Sequence, residues 1–248
     1  MGADLNGARC DGVLLKRANL SGAYLRGASF NDRSNLNEMR LQDETYGSAR
    51  MADIRWSGTN LAVVDWEHLT RLGEEQRAVR TARGKLRGSR ADILRRYSAA
   101  VRAYRQLATS LRAQGLNEDA DRYAYRAQKL QAVVLRRKRQ WLRWLGSTML
   151  DLVAGYGYHP LRSALTYLLV VGGFAAAYYA LGQTVSPALG PLDAVIFSLT
   201  SFHGRGFSPG AAVTLHSPLT VLAAIEAVAG LLIEITFIAT FTQRFFAH

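Results

Sequence analysis

Near the amino terminus every fifth residue is bulky and apolar, and this one regularity excludes most ways a chain can fold. Leu5, Cys10, Leu15, Leu20, Leu25 and Phe30 keep the spacing, and Ala3, Ala8, Val13, Ala18, Ala23 and Ala28 stand two positions ahead of each. A helix repeats its faces at 3.6 residues and a strand at 2.0, so neither can gather this set on one side. A chain that turns a corner at every pentad can, because each wall then offers one large and one small side chain to an enclosed interior.

The pattern, written A-[DN]-L-x-x, resembles the pentapeptide-repeat family. That resemblance implies a short right-handed β-helix over residues 1–65, four pentads to a square coil, with the central Leu or Phe and the small residue before it pointing inward. Cys10 then substitutes for a buried Leu. The register blurs through Asp32–Ser48 and returns at Ala52-Asp53-Ile54, Asn60-Leu61 and Asp65-Trp66, so an interrupted or bulged coil is expected there. Members of the family that imitate DNA are long and acidic. Here eight acidic and eight basic residues cancel within the first 65 positions, which favours a packing or assembly module.

The whole net charge of +12 therefore lies downstream. Such an excess suits nucleic acid or the anionic inner face of a membrane, and the apolar runs described below favour the membrane, so no nucleic-acid partner is expected. Cys10 is the single cysteine and permits no intrachain disulfide. Met1-Gly2-Ala3-Asp4-Leu5 has neither a basic nor an apolar leader region, so the reading expects no secretory signal.

Residues 66–145 read as a basic helical domain. Tyr97, Val101, Tyr104, Leu107, Ala108 and Leu111 follow helical spacing up to Gly115, and Ala120, Tyr123, Ala124, Ala127 and Leu130 follow it again after Asn117, which is expected to cap the second helix. An antiparallel hairpin results, similar to a single helical repeat of the tetratricopeptide type. The charged stretch from Glu74 to Ser89, with Gly84 and Gly88, reads as a partly ordered connector. Arg136-Arg137-Lys138-Arg139 and Arg143, interleaved with Trp141 and Trp144, precede the apolar half and suit a headgroup region, and their bias places the amino-terminal domains in the cytosol.

Residues 146–248 read as a membrane domain. After a break at Gly155-Tyr156-Gly157-Tyr158-His159-Pro160, Ser163–Leu181 is long enough to cross a bilayer, as is Leu219–Thr242, which carries Glu226 and Glu234. Full spans are expected at 161–182 and 218–243, with a helix at 191–200 too short to cross. That short helix must fold back into protein, and several copies around an axis would enclose it.

Short helix, Gly-x-Gly loop and spanning helix in this order resemble the pore module of the two-transmembrane potassium channels. The resemblance implies a homo-oligomer, four copies by family expectation, in a bacterial inner membrane, with ions permeating a filter at 201–207. Thr200, Ser201, Phe202, His203, Gly204, Arg205 and Gly206 would form the filter region, Gly204 and Gly206 matching the two filter glycines, with His203 inserted and Arg205 at the Tyr position. Aligning Val228-Ala229-Gly230 with the inner helix places Leu231, Glu234 and Ile238 toward the cavity and makes Gly230 the hinge. Glu226 would support the filter by pairing with Arg205.

Three readings stay open. A cation-conducting channel with a non-standard filter is favoured by a Glu234 ring, an anion channel by an Arg205 ring turned into the pore, and a non-conducting membrane scaffold by a loop locked shut. His203 and His216 flank the expected outer mouth. No phosphate-binding loop, Cys/His ligand set or nucleophile and base pair is evident, so neither enzyme activity nor a cofactor or metal is expected. Nor does any calcium loop, nucleotide site or arginine-studded helix name a stimulus.

Overall fold

The computed structural model describes residues 2–158, 160–183, 188–204 and 217–246. It divides into two compact units, Met1–Ser147 and Thr148–His248.

In the first unit the pentads turn as their spacing requires. Leu20, Leu25 and Phe30 are buried with Ala23 and Ala28, and Cys10 is buried among them. Gly7, Gly12, Gly22 and Gly27 take positive φ at the corner two residues after each inward side chain, where a Cβ is strained, and Arg17 takes the same conformation. Parallel bridges stack one turn on the next: Asp4 pairs with Tyr24 and Arg9 with Ser29, four pentads on.

The blurred register has a simple cause. Leu14 pairs with Asn35 and Asn19 with Arg40, so one residue has been inserted; Tyr24 pairs with Arg50, so a whole extra pentad has been added as well. That pentad buds out as a hairpin of β2 (Gln42–Asp43) and β3 (Gly47–Ser48), following β1 (Ser29–Asn31) in the chain, with Tyr46 exposed at its tip. Around it Leu36, Leu41, Met51, Leu61 and Trp66 resume the five-residue beat and are buried. β1 pairs in parallel with β4 (Arg55–Ser57). Elsewhere among the described residues the bridges stay isolated, on either side of the insertion, and do not join into the closed β-helix expected from the sequence.

Helices cover the last turn of the repeat. The stretch expected as a connector contains α1 (Gly73–Ala82), whose Ala78 and Glu75 are buried. Its charges mislead because Glu75 is an internal partner, not a solvated residue. α2 (Arg90–Arg112) opens on a capping box in which Asp92 N–H donates to Ser89 Oγ and Ser89 N–H to Asp92. It ends where Gly115 N–H donates to Arg112 O and Leu116 N–H to Leu111 O, the paired bonds of a Schellman turn. Leu116 therefore belongs to that turn and directly precedes α3 (Asn117–Arg137), so Asn117 is the first helical residue and not the expected cap.

α2 and α3 bury the apolar faces their spacing predicts, and one core joins the repeat to these helices across the boundary expected at residue 65. Five rings run through it in sequence: Phe30 stacks on Trp56 at 5.2 Å, Trp56 meets Trp66, Trp66 meets Tyr123, and Tyr123 stacks on Tyr104 at 6.0 Å. Backbone N–H groups of the repeat and of the segment leading to α1 are satisfied from α2 and the turn that ends it. Gln106 accepts from Asp53 N–H at 2.9 Å, Gln114 accepts from Leu61 N–H at 2.8 Å, and the Tyr104 hydroxyl accepts from Leu72 N–H at 2.9 Å. Glu75 ties all three helices together, accepting from Tyr104 at 2.6 Å and from Nε of Arg126 at 2.9 Å.

α4 (Trp141–Ala154) leads to the second unit. There a 3-10 turn at Gly155–Gly157, with Tyr156 at φ 54°, breaks the chain before α5 (Pro160–Gly182). α6 (Pro191–Phe202) and α7 (Pro218–Phe246) follow. Within α5 and α7, Arg162–Gly182 and Pro218–Ile238 are long and apolar enough to cross a membrane, with mean hydropathies of 1.7 and 2.2. Only 17% of each is buried, whereas the core helix of a soluble domain would be mostly covered.

Candidate pore region

α6 is built to stop short. Pro191 opens it at a position where the lost N–H is no handicap, and Asp193 accepts from Gly190 N–H at 3.1 Å. Its twelve residues extend about 18 Å, against a hydrocarbon core of about 30 Å. One face packs between its neighbours through Ala194, Phe197, Ser198, Ser201 and Phe202, all buried. Phe197 meets Tyr178 of α5 edge-on at 4.6 Å, and Phe202 meets Tyr167 in the same way at 4.9 Å. The opposite face carries Leu192, Val195, Ile196 and Leu199 at helical spacing, and all four are exposed.

A carboxylate lies at the centre of this packing. Glu226 of α7 is fully buried. The Tyr178 hydroxyl donates to its Oε2 at 2.7 Å, and Ser198 Oγ lies 2.6 Å from its Oε1. Ser198 Oγ is also 2.9 Å from the carbonyl oxygen of Val171. Ser198 Oγ thus bridges the Val171 carbonyl and the carboxyl, and one side chain fastens α5, α6 and α7 together.

The residues expected in the filter divide at the end of α6. Thr200, Ser201 and Phe202 form its last turn instead of lining an extended filter, since Thr200 Oγ1 donates back to Ile196 O at 2.9 Å and Phe202 is wedged under Tyr167. His203 closes the helix with Nδ1 2.8 Å from Leu199 O, and Gly204 has φ 67°. Arg205 and Gly206 lie outside the described residues, as do His159 and His216. The partner expected for Glu226 is therefore outside the described chain, and the partners found, Tyr178 and Ser198, were not foreseen. The signal was available as a Tyr and a Ser placed among apolar residues of two helices that must meet a buried acid.

On α7, Leu231 and Ile238 are exposed and Glu234 is partly so. Glu234 Oε1 lies 3.5 Å from Nε2 of His203, which brings together the two titratable residues of this face. Gly230 lets α7 approach the end of α6 closely: a Cβ there would overlap the Phe202 carbonyl oxygen. The geometry thus gives Gly230 a contact role, and says nothing of bending. Among the described residues no group of His, Cys, Asp or Glu could hold a metal ion.

The pentapeptide-repeat family model matches residues 2–32. Residues 2–32 are pentapeptide repeats. The match ends well short of the apolar helices. No curated protein matches the chain, and no solved structure does.

Proposed function

We propose that this chain is a membrane ion channel subunit of potassium-channel-like architecture, assembled as a homo-oligomer of four copies around the loop that follows α6 and conducting cations through a non-standard filter. The observation that carries the reading is the lodging of α6: a helix too short to cross a membrane, held between two helices of membrane length by the Glu226 network and leading into Gly204. Lipid cannot satisfy the backbone of a loop that ends partway through a bilayer, so neighbouring copies must supply its surroundings. The exposed stripe of Leu192, Val195, Ile196 and Leu199 gives such a neighbour an apolar surface, and the exposed Leu231 and Ile238 flank Glu234 on the face proposed for the cavity. A ring of Glu234 carboxylates would concentrate cations there.

The basic run before α4 is the basis for placing the first unit in the cytosol, where the repeat and its helices would serve as an assembly platform. Reversal potentials of purified protein in liposomes under salt gradients test the proposal. A shift toward the cation equilibrium potential supports it. A shift of opposite sign moves the assignment to an anion pathway through Arg205, and the absence of current under all gradients favours the scaffold.

A further inference from the structure

A surface cavity of about 560 Å³ lies within the first unit, between the start of α2, the end of α3 and the start of α4. Arg90, Arg136, Arg137 and Arg139 line it together with Trp141 and Trp144, and Ala132 and Val133 contribute apolar wall. Among the described residues none of these four arginines makes an ion pair with a carboxylate, although several exposed arginines elsewhere in the unit do. Two are steadied by rings instead: the Arg136 guanidinium stands 5.8 Å from the centre of Trp144, and that of Arg137 stands 5.3 Å from Tyr97. Trp141 and Trp144 meet edge to face at 5.8 Å.

α3 ends in a second Schellman turn, with Arg139 at φ 58° donating from its N–H to Arg136 O and Gln140 N–H donating to Leu135 O, and this stop brings the end of α3 and the start of α4 around one cavity. Four guanidinium groups around one cavity repel each other unless an anion is shared between them, and their planar forks suit the oxygens of a phosphate. The indole and aliphatic wall suits the carbon portion of a phosphate ester better than a bare ion does. Leu142 and Leu145, beside the two indoles on α4, are both exposed, as residues at a membrane surface are.

We infer that this cavity binds a phosphate-bearing anion, seated on Arg90, Arg136, Arg137 and Arg139, with the indoles of Trp141 and Trp144 packed against the ester it belongs to. An anionic phospholipid headgroup and a soluble phosphate share this chemistry. The inference does not depend on ion conduction.

The test is a fluorescence titration of the full chain in a neutral detergent. Trp141 and Trp144 line the cavity, while Trp66 is buried in the core and Trp56 packs against it, so bound ligand should alter indole emission. Short-chain phosphatidylglycerol, short-chain phosphatidylcholine and inorganic phosphate are titrated separately. Saturable binding of phosphatidylglycerol with little response to the other two supports the site with a lipid source, and an equal response to inorganic phosphate supports it with a soluble source. The Arg136→Gln/Arg139→Gln variant should then bind roughly tenfold more weakly or worse, as expected for the loss of charged hydrogen bonds, whereas Arg102→Gln on an exposed part of α2 should bind unchanged. Equal binding of phosphatidylcholine, no binding of phosphatidylglycerol or inorganic phosphate, or full affinity in a double variant whose circular dichroism is unaltered would overturn the inference.

Discussion

The hydroxyl of Tyr178 on α5 donates to Oε2 of Glu226 on α7 across 2.7 Å, and so joins the two membrane-length helices through a buried polar contact. Removing that donor by Tyr178→Phe leaves an oxygen without a partner at a fully buried carboxyl, at a cost of about 1–3 kcal/mol. Glu226→Gln should cost much less. Its amide nitrogen can donate to Ser198, whose hydroxyl still has Val171 O as acceptor, and its oxygen can still accept from Tyr178. Thermal unfolding in detergent should rank Glu226→Gln close to the unaltered chain and Tyr178→Phe clearly below it. The reverse order would mean that both carboxyl oxygens are needed as acceptors.

Gly230 offers a second test, since a methyl group there meets the Phe202 backbone at the end of α6. Gly230→Ala should destabilise the second unit by about 1–3 kcal/mol, as overpacking usually does. A hinge substitution that merely stiffened α7 would leave stability unchanged or raised and alter gating instead. Unfolding measured alongside the liposome currents of the proposed channel separates the two.

In the first unit, Arg126→Ala strips Glu75 of both its guanidinium contacts and leaves a carboxylate that is 3% exposed. Breaking a buried pair from one side costs about 3–5 kcal/mol, and because Arg126 is itself one-third exposed the lower end is expected. The double variant Glu75→Leu/Arg126→Met should recover part of the loss, the remainder being the Tyr104 hydroxyl left without its acceptor. Denaturant midpoints of the three proteins test this.

Glu74 predicts a pH dependence. Its Oε1 accepts from Ala52 N–H at 2.7 Å, but Oε2 is sealed from solvent without a partner, and burial pushes the carboxyl up from its ordinary range. The unfolded chain releases this proton near pH 4.3, about the free value for Glu, while the folded chain still holds it. Stability from this group is therefore complete below that pH and is lost as pH rises through the higher folded value. Glu74→Gln keeps an oxygen for Ala52 and cannot ionise. It should unfold at higher denaturant than the unaltered chain near pH 7, with the difference vanishing at about pH 4.

What the sequence discloses here depends on whether a residue's partner is close along the chain. The pentad beat, the two helical faces of the hairpin and the membrane-length runs are local periodicities, and each appears where its spacing puts it. The role of Glu75 depends on Arg126, and that of Glu226 on Tyr178; no period links such pairs, so the charged stretch around Glu75 reads as a connector and Glu226 is assigned a different partner. Asn117 shows the same limit on a smaller scale. Its type suits a cap, but the preceding Schellman turn takes Leu116, and which of two adjacent termini wins is settled by backbone geometry that residue preference does not encode. The insertion near Asp32 was visible only as lost rhythm, because one extra residue and one extra pentad shift every later match without naming the place where they enter.

The row of rings from Phe30 to Tyr104 has a consequence for how this protein can be taken apart. Trp66 lies at its middle, with Trp56 of the repeat on one side and Tyr123 of α3 on the other. A fragment cut at residue 65 would lose Trp66 and expose the end of the stack to water, so the repeat should not survive excision at the border its sequence suggests. The smallest piece that melts as one cooperative body should extend past Tyr123, and an expression trial of nested truncations would find soluble product only beyond that point.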